Sequence, residues 1–493
     1  MHRMNRWIDH WDPENEQFWE STGKRIARKN LVLSMFAEHI GFSVWVLWTI
    51  VVLNLGNVGI KMSLSELFTL TLVPNLIGSL LRLPYTLAVP RFGGRAWTTV
   101  SAALLLIPTV LLAVVVPGGW LRVQPHATQF WVLLLCAATA GLGGGNFSSS
   151  MANISFFYPE KRKGVALGLN AAGGNLGVSV AQFFVPLAII AGVPAAAVKL
   201  SPHPVHLRYS GAMWIPFILL AVVLSYFFMD SLTQAKSDLG PLKASLKHGH
   251  AWVMSVLYIG TFGSFIGFSF ALPLVIKNTF PEFLGHHPFI ATYLAGLGFT
   301  GALVGSLARP LGGWMSDRIG GAKVTLGVFL GMVVATAVAI AGVRGHSFVV
   351  FFGSFQVLFL LSGIGNGSTY KMIPSIYQAL GRRQSMDAAT ALDFKRQAAA
   401  VIGVIGAIGA FGGVLIQVVL RQASLHVSAL VTAATTPADK LAIASQHAAW
   451  SVPALVVFLV SYVVFGAITW AVYLRGSFAH EIHPSRSLAA AAA

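Results

Sequence analysis

Runs of about twenty apolar residues recur along the whole of this 493-residue chain. Each is long enough to cross the roughly 30 Å hydrocarbon layer of a bilayer as a helix, which satisfies its own backbone. That rule places twelve spans, at 31–54, 68–90, 97–116, 129–157, 165–190 and 212–229, then at 252–275, 289–315, 324–343, 348–376, 397–420 and 450–473. Only 10% of the residues are charged and 55% are hydrophobic, too little charge to coat a soluble globule, where about 25% is usual. The expected fold is an all-α membrane protein of twelve transmembrane helices. Residues 1–29 mix acids and bases without an apolar run, so no cleavable signal is expected there. Cys136 is the single cysteine and has no internal partner for a disulfide.

The chain carries 33 Lys and Arg against 16 Asp and Glu, a formal charge of +17. In a soluble chain that excess suggests nucleic acid; in a membrane chain it first reports orientation. If the amino terminus lies inside, the inner segments hold 22 of these cations and the outer loops eight. Both termini are therefore expected in the cytoplasm, and no nucleic-acid partner is needed.

The two halves of the sequence repeat each other in the same direction. Gly78-Ser79-Leu80-Leu81-Arg82, followed by Arg91-Phe92-Gly93-Gly94, returns as Gly305-Ser306-Leu307-Ala308-Arg309, followed by Arg318-Ile319-Gly320-Gly321; the offset is 227, from 82 to 309 and from 93 to 320. Gly145-Asn146-Phe147-Ser148-Ser149 returns as Gly365-Asn366-Gly367-Ser368-Thr369, and Gly174, Gly177 and Gln182 return as Gly409, Gly412 and Gln417. This predicts two pseudo-symmetric six-helix halves, 1–229 and 252–493, joined by a cytoplasmic linker at 230–251. Their shared face at mid-membrane is where such folds hold a solute, reached alternately from each side by rocking.

Arg82 and Arg309 each stand eleven residues before a Gly-Gly pair at the inner surface. At 1.5 Å per residue that is roughly 16 Å, about half the hydrocarbon thickness. A charge at that depth costs at least about 2.5–3.5 kcal/mol, and the spans offer one acidic side chain, Glu38, to two cations. One reading is a pair of structural locks onto carbonyl groups; the other is a site filled by an anion. A planar guanidinium fork matches a planar oxyanion in two-point fashion, which an ammonium does not. Glycine-dense fifth and eleventh spans around Gly174 and Gly409 let helices approach closely and leave a narrow path. Phe147, Tyr258 and Phe262 are candidate flat walls and Asn175 a candidate donor.

These motifs carry a resemblance. Gly312-Gly313-Trp314-Met315-Ser316-Asp317-Arg318-Ile319-Gly320-Gly321 resembles the loop signature of the major facilitator superfamily, which implies a gating role for Asp317 and Arg318. The stretch from Asn146 to Pro159, with Gly173–Gln182, Gly406–Gly413 and the two arginines, resembles the nitrate/nitrite porter family. The resemblance implies a bacterial inner-membrane transporter of nitrate and nitrite serving nitrate assimilation, with no enzymatic activity, metal or cofactor. It maps substrate binding onto Arg82, Arg309, Phe147, Asn175, Tyr258, Phe262, Gly174 and Gly409. Its partners are nitrate, nitrite, protons and lipid, and the expected state is a monomer.

Anion uptake against an inside-negative potential is uphill by about 2.3 kcal/mol per 100 mV. Exchange for internal nitrite cancels the charge without a titrating group, whereas proton symport requires one. Glu38-His39 in the first span and Lys371 in the tenth are the candidates for proton coupling, and their charge resembles the family's symporter branch. Two alternatives stand beside this: a structural Glu38–Lys371 ion pair, and a nitrate/nitrite antiporter or nitrite exporter of the same fold.

Overall fold

The computed structural model describes residues 7–198, 202–235, 240–433 and 448–475, with 436, 439, 442 and 443. Of the cations counted for orientation, Arg3, Arg6, Lys199, Lys236, Lys440 and Arg486 lie outside the described residues, as do 236–239 of the linker and the tail from 476.

Twelve long helices are present among the described residues: α1 (Glu16–Asn54), α2 (Leu64–Phe92), α3 (Gly94–Val114), α4 (His126–Phe157), α5 (Lys161–Ile189), α6 (Tyr209–Phe228), α7 (Gly249–Thr279), α8 (Gly298–Ile319), α9 (Gly321–Arg344), α10 (Phe348–Gln384), α11 (Ala389–Val427) and α12 (Ala449–Tyr473). Eleven are long and apolar enough to cross a membrane by composition alone. The other, α8, is diluted by its glycines, Arg309 and Pro310. It also begins later than the run at 289–315 suggested. Pro288 starts a separate short helix, Pro288–Tyr293, and the chain then turns through Ala295, Gly296 and Leu297, all at positive φ, before α8 begins. Hydropathy passes unbroken over that turn, so it was invisible in the sequence.

Helix ends follow local chemistry. Ser63 and Glu66 form a reciprocal capping box at the start of α2, satisfying two orphan amides. Gly93 and Gly320 end α2 and α8 at φ 85° and 92°, a region glycine enters without steric cost. The 227-residue repeat thus reappears in the backbone itself.

Packing follows the same symmetry. In the first half α1 packs on α5, α2 on α4 and α3 on α6; in the second, α7 packs on α11, α8 on α10 and α9 on α12. The halves meet along α2 with α11 and α5 with α8. α1 and α7 are almost wholly enclosed, while α3, α6 and α12 carry large exposed apolar side chains such as Val110, Phe217 and Val463, a surface suited to lipid.

We call the end holding Trp7, Ser231 and Tyr473 the basal end and the opposite one distal. Trp7–Ile8 pairs in parallel with Ser231–Leu232, and Trp11 and Trp19 pack with Phe157 and Leu31 beneath the first half, anchoring the leading segment. The distal end is stitched across the halves. Lys277 Nζ donates to the Leu53 carbonyl at 2.6 Å, Gln182 Nε2 to the Ser269 carbonyl at 2.7 Å, Arg421 Nε to Thr69 Oγ1 at 2.9 Å and Thr71 Oγ1 to Gln417 Oε1 at 3.1 Å.

Candidate functional site

Arg82 and Arg309 project inward from α2 and α8 and are 0% and 3% exposed. The Arg82 guanidinium lies 4.6 Å from the Phe147 ring centroid and that of Arg309 5.5 Å from it. Two cations therefore share one phenyl ring and stand at most about 10 Å apart, within the Debye length at roughly 0.1 M salt. Phe262 stacks on Phe147 at 5.8 Å and Tyr258 on Phe262 at 5.3 Å, with interplanar angles of 21° and 9°. Phe262 also faces Arg82 at 4.7 Å.

Local backbone irregularity builds this stack. α7 widens to a π turn over Ile259–Gly263, the segment that follows Tyr258 and contains Phe262, and such bulges recur at functional sites. α4 tightens to a 3-10 turn over Gly141–Gly143, and the next carbonyl, Gly144, accepts from Arg82 Nε at 3.2 Å. Arg82 Nη1 donates to the Gly406 carbonyl of α11 at 3.0 Å, and Arg309 Nη2 donates to Tyr258 Oη at 3.2 Å. One nitrogen of each fork, Arg82 Nη2 and Arg309 Nη1, is buried without a hydrogen-bond partner. A buried unpaired charged donor is costly; here two stand around one phenyl ring.

The expected residues divide by position. Phe147, Tyr258 and Phe262 surround the cations. Gly409 is pressed beneath the Tyr258 ring, and Gly174 against the Glu38 carboxylate; each admits a neighbour that any side chain would expel. Asn175 is fully buried with both side-chain polar atoms unbonded. Glu38, 1% exposed, accepts from Asn170 Nδ2 at 2.9 Å and feels the charge of both Arg309 and Arg82. His39 Nδ1 contacts the Gly173 carbonyl at 3.0 Å.

Lys371 does not pair with Glu38. Its ammonium meets Asp317 Oδ1 at 2.8 Å near the basal end, both side chains about half exposed. The structural pair left open by the sequence is thus replaced by one within the second half, joining the Asp317 motif to α10. Arg318 stacks on Trp314 at 4.0 Å.

Tyr370 belongs to the site and the sequence reading passed over it. Its ring faces Arg309 at 5.1 Å and Tyr258 at 5.1 Å. The signal was its place directly after Gly-Asn-Gly-Ser-Thr, in the repeat of the Phe147 motif. Asn146 and Asn366, matched across that repeat, are both buried with unbonded amides.

A family profile described as Major Facilitator Superfamily matches residues 31–416. The "Nitrate/nitrite transporter NarU" of Escherichia coli strain K12 is 35% identical over 488 residues, covering 96% of this chain and 97% of that protein. The chain belongs to the nitrate/nitrite porter family of the major facilitator superfamily. A second relative in the family, named "Probable nitrate/nitrite antiporter NarK2" in Thermus thermophilus, is 36% identical over 75% of this chain and 83% of its own. The superfamily fold is also seen in a solved bacterial homologue of the lysosomal transporter Spinster, inward-facing and unoccupied, at TM-score 0.62 and 15% identity over 91% of this chain and 97% of that one. In that frame the Arg82–Phe147–Arg309 cluster lies between the two halves of a multi-pass membrane transporter.

Proposed function

We propose that this porter carries nitrate, and nitrite, across the bacterial inner membrane by rocking its two halves about the Arg82–Arg309 cluster. The observation that carries the reading is the pair of free guanidinium arms, Arg82 Nη2 and Arg309 Nη1, on two arginines that share the Phe147 ring. A flat monovalent oxyanion accepts one hydrogen bond from each arm and slides against the aromatic faces. A tetrahedral dianion would need further donors and more width. The Gly406 carbonyl and Tyr258 hydroxyl hold the other arms, so the free ones are aimed before the anion arrives, which lowers the ordering cost of binding.

Uptake is the direction we assign, with both termini cytoplasmic, the basal end inside and the distal stitches forming the outer gate. Nitrate entry requires more than one proton per anion to overcome both the charge and the potential. Glu38, enclosed and within the electrostatic reach of both guanidiniums, is the carboxylate that carries one proton. When an anion neutralises the arginines, Glu38 loses its cationic partners and keeps its proton; when the anion leaves, the arginines draw the proton off. Proton and anion thus favour each other's binding. His39 and Lys371 are assigned secondary parts, in orienting α5 and in closing the basal end with Asp317 and Arg318.

Electroneutral nitrate/nitrite exchange is the second reading, favoured by the antiporter named among the relatives. Proteoliposomes loaded without nitrite separate the two. Symport predicts that external nitrate alone drives external alkalinisation, lost in Glu38→Gln. Uptake only when nitrite is inside contradicts symport and assigns exchange.

A further inference from the structure

A file of polar side chains runs inside the first half from the basal surface to Glu38, and the anion site does not use it. Asn30, Ser34 and Glu38 stand four residues apart on α1, so they share one face and rise about 6 Å per step. All three are buried, at 0%, 1% and 1% exposure. At the foot of the file Asn30 Nδ2 donates to Asp230 Oδ2 at 2.9 Å, the Asp230 amide donates to Asn30 Oδ1 at 2.9 Å, and Lys29 Nζ holds the same carboxylate at 2.6 Å. The Asp230 side chain is 13% exposed, so the file touches basal solvent there.

One turn higher, Ser34 Oγ hydrogen-bonds Ser150 Oγ of α4 at 2.8 Å. Asn170 of α5 donates to Ser150 Oγ at 2.6 Å and to Glu38 Oε2 at 2.9 Å, which holds the Ser150 hydroxyl next to the Glu38 carboxyl. Three helices therefore supply two bonded groups, Glu38–Asn170–Ser150–Ser34 and, one helical turn below, Asn30–Asp230–Lys29. Helix packing in a membrane needs far fewer polar groups, each expensive to bury.

We infer that this file is the route by which Glu38 releases its proton to the basal side, separate from the anion's path between the halves. The inference rests on the symport reading above. The Glu38 carboxyl passes its proton to Ser150 Oγ beside it, Ser150 passes its own hydroxyl hydrogen to Ser34 Oγ, and Ser34 passes its own to a water that enters the one-turn gap above Asn30 and Asp230. Each serine ends with the hydrogen count it began with, and Glu38 is left as a carboxylate. Asn170 relays nothing; it is a positioning residue that aims Ser150 and Glu38 at each other. The charged groups facing Glu38 are Arg309 and Arg82. His39, the next residue on α1, is turned to the Gly173 carbonyl of α5.

The test uses proteoliposomes of the full chain with a pH-sensitive dye inside, an imposed nitrate gradient and, separately, nitrate-for-nitrate counterflow. Ser34→Ala and Ser150→Ala are expected to slow nitrate-driven proton entry about tenfold while counterflow changes less than about twofold, and Ser150→Thr, which keeps a hydroxyl, restores the rate. Glu38→Gln abolishes proton entry. Wild-type proton entry in the Ser34→Ala/Ser150→Ala double variant, with Glu38→Gln still inactive, overturns the route and leaves symport standing. Undiminished proton entry in Glu38→Gln overturns symport and the route together. Parallel loss of counterflow in both serine variants would make the file a packing element and also overturns the route.

Discussion

Arg82 Nη1 donates to the Gly406 carbonyl oxygen at 3.0 Å, a bond that leaves the first half and ends on the second. The same guanidinium is tied to its own half through Gly144 at 3.2 Å. On the proposed reading, the side chain that meets the substrate is also part of the seam along which the halves would rock. The anion's charge and the relative position of α2 and α11 act on one group.

The glycine beneath Tyr258 is there for space. A Cβ at 409 would run into the Tyr258 ring, whereas one at 168 meets nothing within 4 Å. Gly409→Ala should push Tyr258 away from Arg309 and lower initial nitrate uptake at least about tenfold. Gly168→Ala should transport at the wild-type rate within about twofold.

Tyr258→Phe keeps the stacked ring and removes the acceptor of Arg309 Nη2. A bond to a charged group is worth about 1.5–3 kcal/mol, so half-saturation should rise at least about tenfold with a smaller change in maximal rate. Concentration-dependent uptake measures both.

Gln182 and Gln417 are repeat partners that both close the distal end, through the Ser269 carbonyl and Thr71 Oγ1. Replacing either by Leu removes a bond between halves worth about 1 kcal/mol, a population shift of roughly fivefold. Spin labels placed by Asn57→Cys and Asn278→Cys should then report a larger distal-open fraction, largest in the double variant.

The Lys371–Asp317 pair is half exposed, where such pairs contribute up to about 1 kcal/mol. Lys371→Gln should alter uptake by no more than about fivefold. The exchanged double variant Lys371→Asp/Asp317→Lys should recover most of the loss at low salt.

Much of this architecture was legible before any coordinates. The repeat gave away Arg82 and Arg309, because a mid-membrane charge stands out against apolar neighbours and matching depth in two halves is hard to produce by chance. Phe147, Tyr258 and Phe262 were nameable as walls. The carbonyls of Gly144 and Gly406 were not, since every residue carries an acceptor, and only the 3-10 turn before Gly144 and the approach of α11 to α2 decide which ones Arg82 reaches. Tyr370 was overshadowed by the charge of Lys371 beside it. The π turn at Ile259–Gly263 and the break before α8 leave hydropathy unchanged, so periodicity has nothing to report there. Asn170, Ser150 and Ser34 looked like ordinary small polar residues until packing brought α1, α4 and α5 together around Glu38.

The central claim is that two guanidiniums bind a planar anion, each through one free arm of a fork whose other arm the protein holds, and calorimetric titration of nitrate into the purified protein tests it most directly. Arg82→Lys and Arg309→Lys keep the charge but lose the fork. The account predicts that each weakens nitrate binding by more than about a hundredfold while thermal unfolding stays near that of the unaltered chain. Nitrate affinity within a few-fold of the unaltered protein in either variant would contradict it.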